Sequence, residues 1–319
     1  MLILADDELP TIQCSKCCKW HHQRCVDSLE STTRSFTCPN CHRTQSKGES
    51  SKHVIGHPDR SLYLVQQAAA LSPFSELRQT ELEEAILMHR ELLSLHPAPH
   101  PDRPIWLSGL GLGLWHLFQR TNSMVDLEGA ISLHRESLSL RPAPHPNRSS
   151  SLTSLASALH AHFRITGSMT DLEEAISMHR ESLSLYPILH PDRFNSLNNV
   201  ANALQDRFRM TGSITDLEEA ILIHRELLLS LDPTTRPMSL HNLGIALQDR
   251  FSNIRSMTDL DEAILILRES LSLRPVAHPG RLRALKTLAS ALETRFKDNG
   301  VQSDLDEASS LRREALAMS

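Results

Sequence analysis

After Cys41 the sequence contains no cysteine. Thiol nucleophiles, thiol redox centres and disulfides are therefore excluded from everything that follows it. Aromatic residues make up only 4% of the chain and glycine only 11 positions, a balance that favours helices over sheets. No apolar run approaches membrane-spanning length. The formal net charge of -5 offers no global basic field to nucleic acid or anionic membranes. The opening "MLILADDELP" meets Asp6 and Asp7 early, too soon for a secretory signal, so an intracellular chain, cytoplasmic or nuclear, is expected.

Catalytic signatures are also missing. The stretch "GLGLG" at 109–113 has Leu114 in place of a third glycine, and no strand pattern precedes it. No HExxH, P-loop or GxSxG word occurs. A non-enzymatic protein is expected.

What the chain does contain falls into three parts. All six cysteines, at 14, 17, 18, 25, 38 and 41, lie in a module over 1–43. Nothing indicates an oxidising compartment, so their pairing reads as metal ligation. The polar stretch "RTQSKGESSKHVIGH" shows no apolar period and supplies a linker over 44–56. From 57 to 319 the chain repeats itself.

Acidic residues at 81, 126, 171, 216, 259 and 304 open similar words, such as "DLEEAISMHRESLSLYP" from Asp171. The spacing is 45 residues, with one interval of 43. Phenylalanines at 118, 163, 208, 251 and 296 keep the same step. A fixed period of this length signals a solenoid. Each unit carries two apolar stripes at helical spacing: Leu152, Leu155, Ala156, Leu159 and Phe163, then Leu172, Ala175, Ile176, His179 and Leu183. Thr170 with Glu173, Thr215 with Glu218 and Thr80 with Glu83 read as capping boxes that start the second helices. Gly167 and Gly212 stand where left-handed helix ends are expected. Counting a degenerate first helix from Pro58, six helix pairs result, and one pair alone cannot bury both stripes.

Leu243 and Gly244 in a first helix, Ala263 in a second and Pro275 twelve residues later resemble the tetratricopeptide repeat. The alanine-to-proline spacing recurs at Ala85 to Pro97, Ala130 to Pro142 and Ala175 to Pro187. The longer period is similar to the expanded repeats of kinesin light chains and of fungal proteins whose repeats precede a caspase-like CHAT protease domain. The resemblance implies an all-α, right-handed helical-hairpin solenoid that works as a protein–protein interaction scaffold. A regulatory fragment of a CHAT-type protein stands as an alternative. It also implies that first helices line a concave groove for a peptide or protein partner. On that face lie Asn195, Asn198, Asn202 and Gln205, then His241, Asn242 and Gln248, then Arg283 and Lys286. Amides can hold an extended backbone through both donor and acceptor, and Arg283 with Lys286 would favour an acidic segment.

The His-Arg-Glu triplet inside each word invites a catalytic reading. His89, His134, His179 and His224 occupy equivalent places, but the next copies have Leu267 and Arg312. A catalytic residue would not be exchanged for leucine among equivalent units. Metal bridging between units fails as well, because helices pack ~8–10 Å apart whereas zinc–nitrogen bonds are ~2 Å. The histidines read as packing residues.

The cysteine segment runs Cys14-x2-Cys17-x4-His22-x2-Cys25-x12-Cys38-x2-Cys41, with Trp20 two residues before His22. It resembles the second half of a PHD finger, which binds two zinc ions in a cross-brace. Carried over, Cys14, Cys17, Cys38 and Cys41 would form one closed structural site. His22 and Cys25 would belong to a second site whose first cysteine pair should lie upstream, so this finger is expected to be truncated or its second site empty. A zinc-knuckle assignment to Cys14, Cys17, His22 and Cys25 remains open, as does a segment that binds no metal. Cys18 has no role in either assignment. PHD fingers commonly read histone tails, which makes a chromatin-associated adaptor a further alternative, yet only Trp20 and Phe36 are available as aromatics in 1–56.

The expected outcome of metal analysis is about one zinc per chain, since a structural site takes four ligands. Cys38→Ser should abolish it while the helical signal of the repeats persists. Full zinc retention in that variant would move the site to the knuckle set.

Overall fold

The computed structural model describes residues 11–13, 20–22, 58–71, 74, 77–187, 190–229 and 235–318. Its contacts divide the chain into two units, Met1–His57 and Pro58–Ser319. In the first, β1 (Thr11–Gln13) pairs antiparallel with β2 (Trp20–His22), Thr11 opposite His22 and Gln13 opposite Trp20. Of the residues proposed to hold zinc, His22 ends β2. Cys14, Cys17, Cys25, Cys38 and Cys41 lie outside the described residues, as does Cys18.

The second unit is helical throughout its described residues. Its twelve helices there form six antiparallel hairpins. They are α1 (Pro58–Ala70) with α2 (Gln79–Leu95), α3 (Arg103–Thr121) with α4 (Met124–Ser139), and α5 (Arg148–Thr166) with α6 (Met169–Leu185). Then come α7 (Pro191–Thr211) with α8 (Ile214–Leu228), α9 (Arg236–Ile254) with α10 (Met257–Ser272), and α11 (Arg281–Asn299) with α12 (Gln302–Ala317). Each second helix packs on the first helix of the next hairpin. From α3 onward, first helices of successive hairpins also touch one another, which makes theirs the tighter, inner face of the stack.

The core is continuous because each apolar stripe is shared. Leu172 and Ile176 of α6 cluster with Val200, Ala201 and Leu204 of α7 and Ala220 of α8. Ile221 of α8 joins Leu243 and Leu247 of α9 and Ala263 of α10 in the next layer. Each fully buried leucine or isoleucine contributes roughly 1.5–3 kcal/mol of burial, so no hairpin can be removed without exposing its neighbour.

The repeated word decodes letter by letter. In "HRES" from His134, the histidine enters the core and Arg135 donates to Glu174 of the following unit at 2.5 Å. Glu136 accepts from Arg103 of its own hairpin at 3.0 Å, and Ser137 donates to the Pro104 carbonyl at 3.0 Å. The next copy repeats this with Arg180 to Glu219, Arg148 to Glu181 and Ser182 to the Ser149 carbonyl. "LRES" from Leu267 does the same with Arg268 to Glu307, Arg236 to Glu269 and Ser270 to the Pro237 carbonyl. The acids that open each word are used too. Asp216, Asp259 and Asp304 accept two hydrogen bonds each from Arg207, Arg250 and Arg295 of the preceding helix. The hydrogen bonds from Arg207 and Arg295 hold the carboxyls of Asp216 and Asp304 below the usual range.

The expected helix starts need correction by one or two residues. Second helices begin before Thr170, Thr215 and Thr80, so those threonines are not caps. Ser168 occupies the cap before α6 and its hydroxyl accepts from the Asp171 amide at 3.4 Å. Ser213 precedes α8, and before α2 the backbone amide of Arg78 donates to Glu81 at 2.8 Å. Aspartate sits at the third helical position and bonds the preceding helix instead of reaching back, Asp216 to Arg207 and Asp171 to His162. The glycine expectation holds: Gly167 and Gly212 adopt φ of 75° and 73°, each amide bonding the carbonyl of the rhythmic phenylalanine at 2.7 Å.

The histidine row is interior. His134, His179 and His224 are buried, and Leu267 fills the same place in the fifth hairpin. Arg312 is exposed and donates to Glu293. Opposite each lies a small residue of the first helix: a Cβ on Gly111 would come within 2.6 Å of His134, and one on Gly244 within 2.6 Å of Leu267. Both ring nitrogens of His179 and of His224 are buried without a hydrogen-bond partner. Burial pushes His134 and His224 down to about 4 and His179 down to about 3, so all three are neutral near pH 7.

These depressed values set the pH response. The unfolded chain binds protons at each histidine below about pH 6.5, whereas the folded chain does so only near the depressed values. Stability is therefore full above about pH 6.5 and falls by up to about 1.4 kcal/mol per pH unit per histidine on the way down to about pH 4. Thermal melts across this range should show that decline, and His179→Leu with His224→Leu should flatten it. At pH 7 the His179→Leu variant should differ by less than about 1.5 kcal/mol, since leucine already holds the equivalent site in the fifth hairpin.

Candidate binding groove on the inner face

Because first helices approach one another, their polar side chains meet across hairpins. The Asn242 amide on α9 donates to the Asn198 side-chain oxygen on α7 at 2.9 Å, in a buried setting. Gln205 on α7 donates to Asp249 on α9 at 2.9 Å. Arg209 on α7 donates to the same Asp249 at 2.7 Å and to Asp206 at 2.9 Å. His160 on α5 donates to Asp206 at 2.9 Å. Arg283 on α11 donates through Nε to His241 Nε2 on α9 at 2.9 Å. A ladder of amides and charges thus crosses four consecutive first helices.

Charge follows this geometry. Burial opposes ionisation of Asp206, but the His160 hydrogen bond and the charges of His160, Arg164 and Arg209 outweigh it and hold the carboxyl below its usual range. His241 is pushed down to about 3, by burial first and then by Arg283 and Arg274. It is therefore neutral, with Nε2 free to accept from Arg283.

A cavity of about 550 Å³ opens along the ladder. It is lined by Asn198, Asn202, Gln205, His241, Asn242 and Arg283 among the expected groove residues. Gln248 and Lys286 line an adjoining cavity of about 550 Å³ that also contains Arg283. Asn195 lines neither and is exposed on α7.

The expected free amide face is corrected in one respect. Asn198, Gln205, His241 and Asn242 are buried, and each has at least one polar atom engaged by a neighbouring helix. Asn199 and Asn202 carry no hydrogen bond to another described residue and present their amides to the cavity. Residues that sequence reasoning missed are His160, Asp206, Arg209, Asp249 and Arg274. The 43- and 45-residue steps do align Asp206 with Asp249 and Gln205 with Gln248. Which of them face each other depends on the offset between adjacent helices. Among the described residues no helix is long and apolar enough to cross a membrane, and no group of three or more His, Cys, Asp or Glu could hold a metal ion.

Residues 148–192, 194–230 and 238–280 match the tetratricopeptide repeat family model. No curated protein matches the chain. Among solved structures, the fold is similar to a Podosopora anserina protein described as a kinesin light chain with nearly identical TPR-like repeats. That match has 23% identity, 69% of this chain and 96% of that one, and a TM-score of 0.46. BtubC (BKLC) from P. vanneervenii matches at 16% identity over 78% of this chain and 91% of its own, with a TM-score of 0.47. MamA matches at 18% over 62% and 92%, with a TM-score of 0.41.

The ladder predicts measurable coupling. Asn198→Ala and Asn242→Ala should each lower stability by about 1 kcal/mol, because the partner left behind is buried. The double variant should cost little more than either alone, a coupling of about 0.5–1.5 kcal/mol in a denaturant double-mutant cycle. Strict additivity would show that the bond contributes nothing.

Proposed function

We propose that this chain is a non-enzymatic interaction scaffold that holds an extended peptide segment of an intracellular protein partner in the inner groove of its repeats. The observation that carries the reading is the cavity beside Asn199 and Asn202, whose amides are not consumed by the ladder. An extended peptide brings alternating N–H and C=O groups, and an asparagine amide can satisfy both. Inner faces of solenoids suit such ligands because contacts from several units add along the strand.

The N-terminal unit has a proposed role of its own. Cys14, Cys17, Cys38 and Cys41 would hold one structural zinc in a PHD-type half-finger, with His22 and Cys25 left for an incomplete second site. Four thiolates suit a closed tetrahedral site that stabilises a fold and leaves no position for substrate.

Peptides selected from a random library against the purified chain provide the test. Asn199→Ala with Asn202→Ala should weaken the selected peptide about tenfold while leaving the thermal melt unchanged, since neither side chain supports a neighbour. Asn198 is a poor probe for this purpose, because its bond to Asn242 would confound binding with stability. Undiminished binding in that variant, with loss instead from changes at Leu222 and Leu265 on the outer helices, would overturn the groove assignment.

A further inference from the structure

The outer face of the repeats follows a word of its own. Each second helix turns one exposed stripe away from the stack, and on α6 it reads Glu173, Ser177, Arg180, Ser184. The arginine of the stripe is tied to the next unit, Arg180 to Glu219 and Arg225 to Glu262. The second serine turns back on its own helix: Ser139, Ser184 and Ser272 donate to the carbonyls of Glu136, Glu181 and Glu269 at 2.7–2.8 Å. Such a stripe is a solvated surface complete in itself.

The fourth hairpin departs from it three times within one helix. Leu222 of α8 stands where other units have Ser132, Ser177 and Ser310, and it is 65% exposed. Leu229, which closes α8 with helical angles, replaces the second serine and is 81% exposed. In the run from 227 to 229, Leu227 is buried and Leu228 packs on the core, so burial accounts for both. It does not account for Leu229. The third departure is Glu226. Its counterparts Glu136, Glu181, Glu269 and Glu314 each receive an arginine of their own hairpin. Arg193 donates instead to the Leu183 carbonyl at 3.3 Å, and Glu226 is in no ion pair with a described residue. Across the Arg225–Glu262 bridge, α10 adds Leu265 at the register of Leu222, 67% exposed. Leu87 holds the same place on α2, but there Ser94 keeps the second position and Arg60 meets Glu91.

A single exposed leucine is ordinary. Three of them around one ion pair, each at a serine position of the repeat and beside an acid left without its arginine, mark a surface. Its spacing selects the shape of a ligand. Leu222 and Leu229 are seven residues apart, about 10.5 Å along a helix axis. At that spacing a second helix returns apolar side chains to one line. An extended strand repeats a face every ~6.7 Å and falls out of step. The charge is selected by Glu218 and Glu226, both exposed, four residues to either side of Leu222. Glu218 meets Arg250 only at a distance.

We propose that the outer face of α8, with Leu265 of α10, docks a basic amphipathic helix of a partner protein. Apolar side chains at heptad spacing lie on Leu222, Leu229 and Leu265, and flanking Lys or Arg meet Glu218 and Glu226. This surface is on the opposite side of the repeats from the groove, so the two can be filled together. A second copy of the chain does not fit, because pairing like stripes sets acid against acid.

The test is selection from a library displayed on a rigid helical scaffold, against the purified chain. The comparison variant, Leu222→Ser with Leu229→Ser and Leu265→Ser, only restores the repeat's own residues and should keep the wild-type melt. Enriched sequences should carry apolar residues at heptad spacing flanked by Lys and Arg. They should lose at least about tenfold in affinity for the triple variant. Glu218→Gln with Glu226→Gln should weaken them about threefold or more and flatten the salt dependence. Asn199→Ala with Asn202→Ala should leave them bound, which separates them from extended peptides held in the groove. Equal affinity for the triple variant, loss in the asparagine variant, enrichment of acidic or non-amphipathic sequences, or no enrichment would each overturn the proposal. So would sedimentation showing a wild-type dimer that the triple variant does not form, because the occupant would then be a second copy.

Discussion

The close approach of two helices at a single residue sets the geometry of each hairpin. Gly111 and Gly244 lie against His134 and Leu267 so tightly that a methyl group would collide, and Ala156, Ala201 and Ala289 stand at the equivalent steps. A bulky knob on the second helix needs a shallow place on the first. Where the knob is His179 or His224, the interior accepts two unpaired ring nitrogens in exchange for volume, a cost of the order of 1–3 kcal/mol. Leu267 shows that shape is the property required. Successive first helices touch, and the polar contacts of the inner face form between them.

Electrostatics then divides the molecule by face. On the outer and lateral sides arginine and glutamate are placed so that each unit supplies one partner of a pair to its neighbour. Exposed pairs of this kind contribute only about 0.2–1 kcal/mol each, so their larger effect is on register. A unit shifted along its neighbour would lose the Arg180–Glu219 and Arg148–Glu181 contacts together. On the inner side Arg283 gives its Nε to neutral His241 in place of an acid.

Much of this was legible in the residues. The 45-residue period, the two stripes per unit, the six pairs and the left-handed ends at Gly167 and Gly212 follow from local rules of helix formation. The packing role of the histidines followed from one substitution, Leu267. The capping residues were misplaced because Thr170 and Ser168 are equally good caps by local chemistry. The choice between them is made by Asp171, which His162 draws across the hairpin at 2.6 Å. Likewise, Asn198, Gln205 and Asn242 look like free amides on a helical wheel, which describes one helix without its neighbours.

By itself the sequence determined the kind of element, its length and its repetition, because helical periodicity and chain-breaking residues act within a few positions. Only the tertiary structure decided which polar side chains remain available. That depends on the offset between adjacent first helices. Asn202 faces open space while Asn198 is bonded to Asn242, though they lie one turn apart on the same helix. The difference between them is the position of α9, which no pattern within α7 encodes.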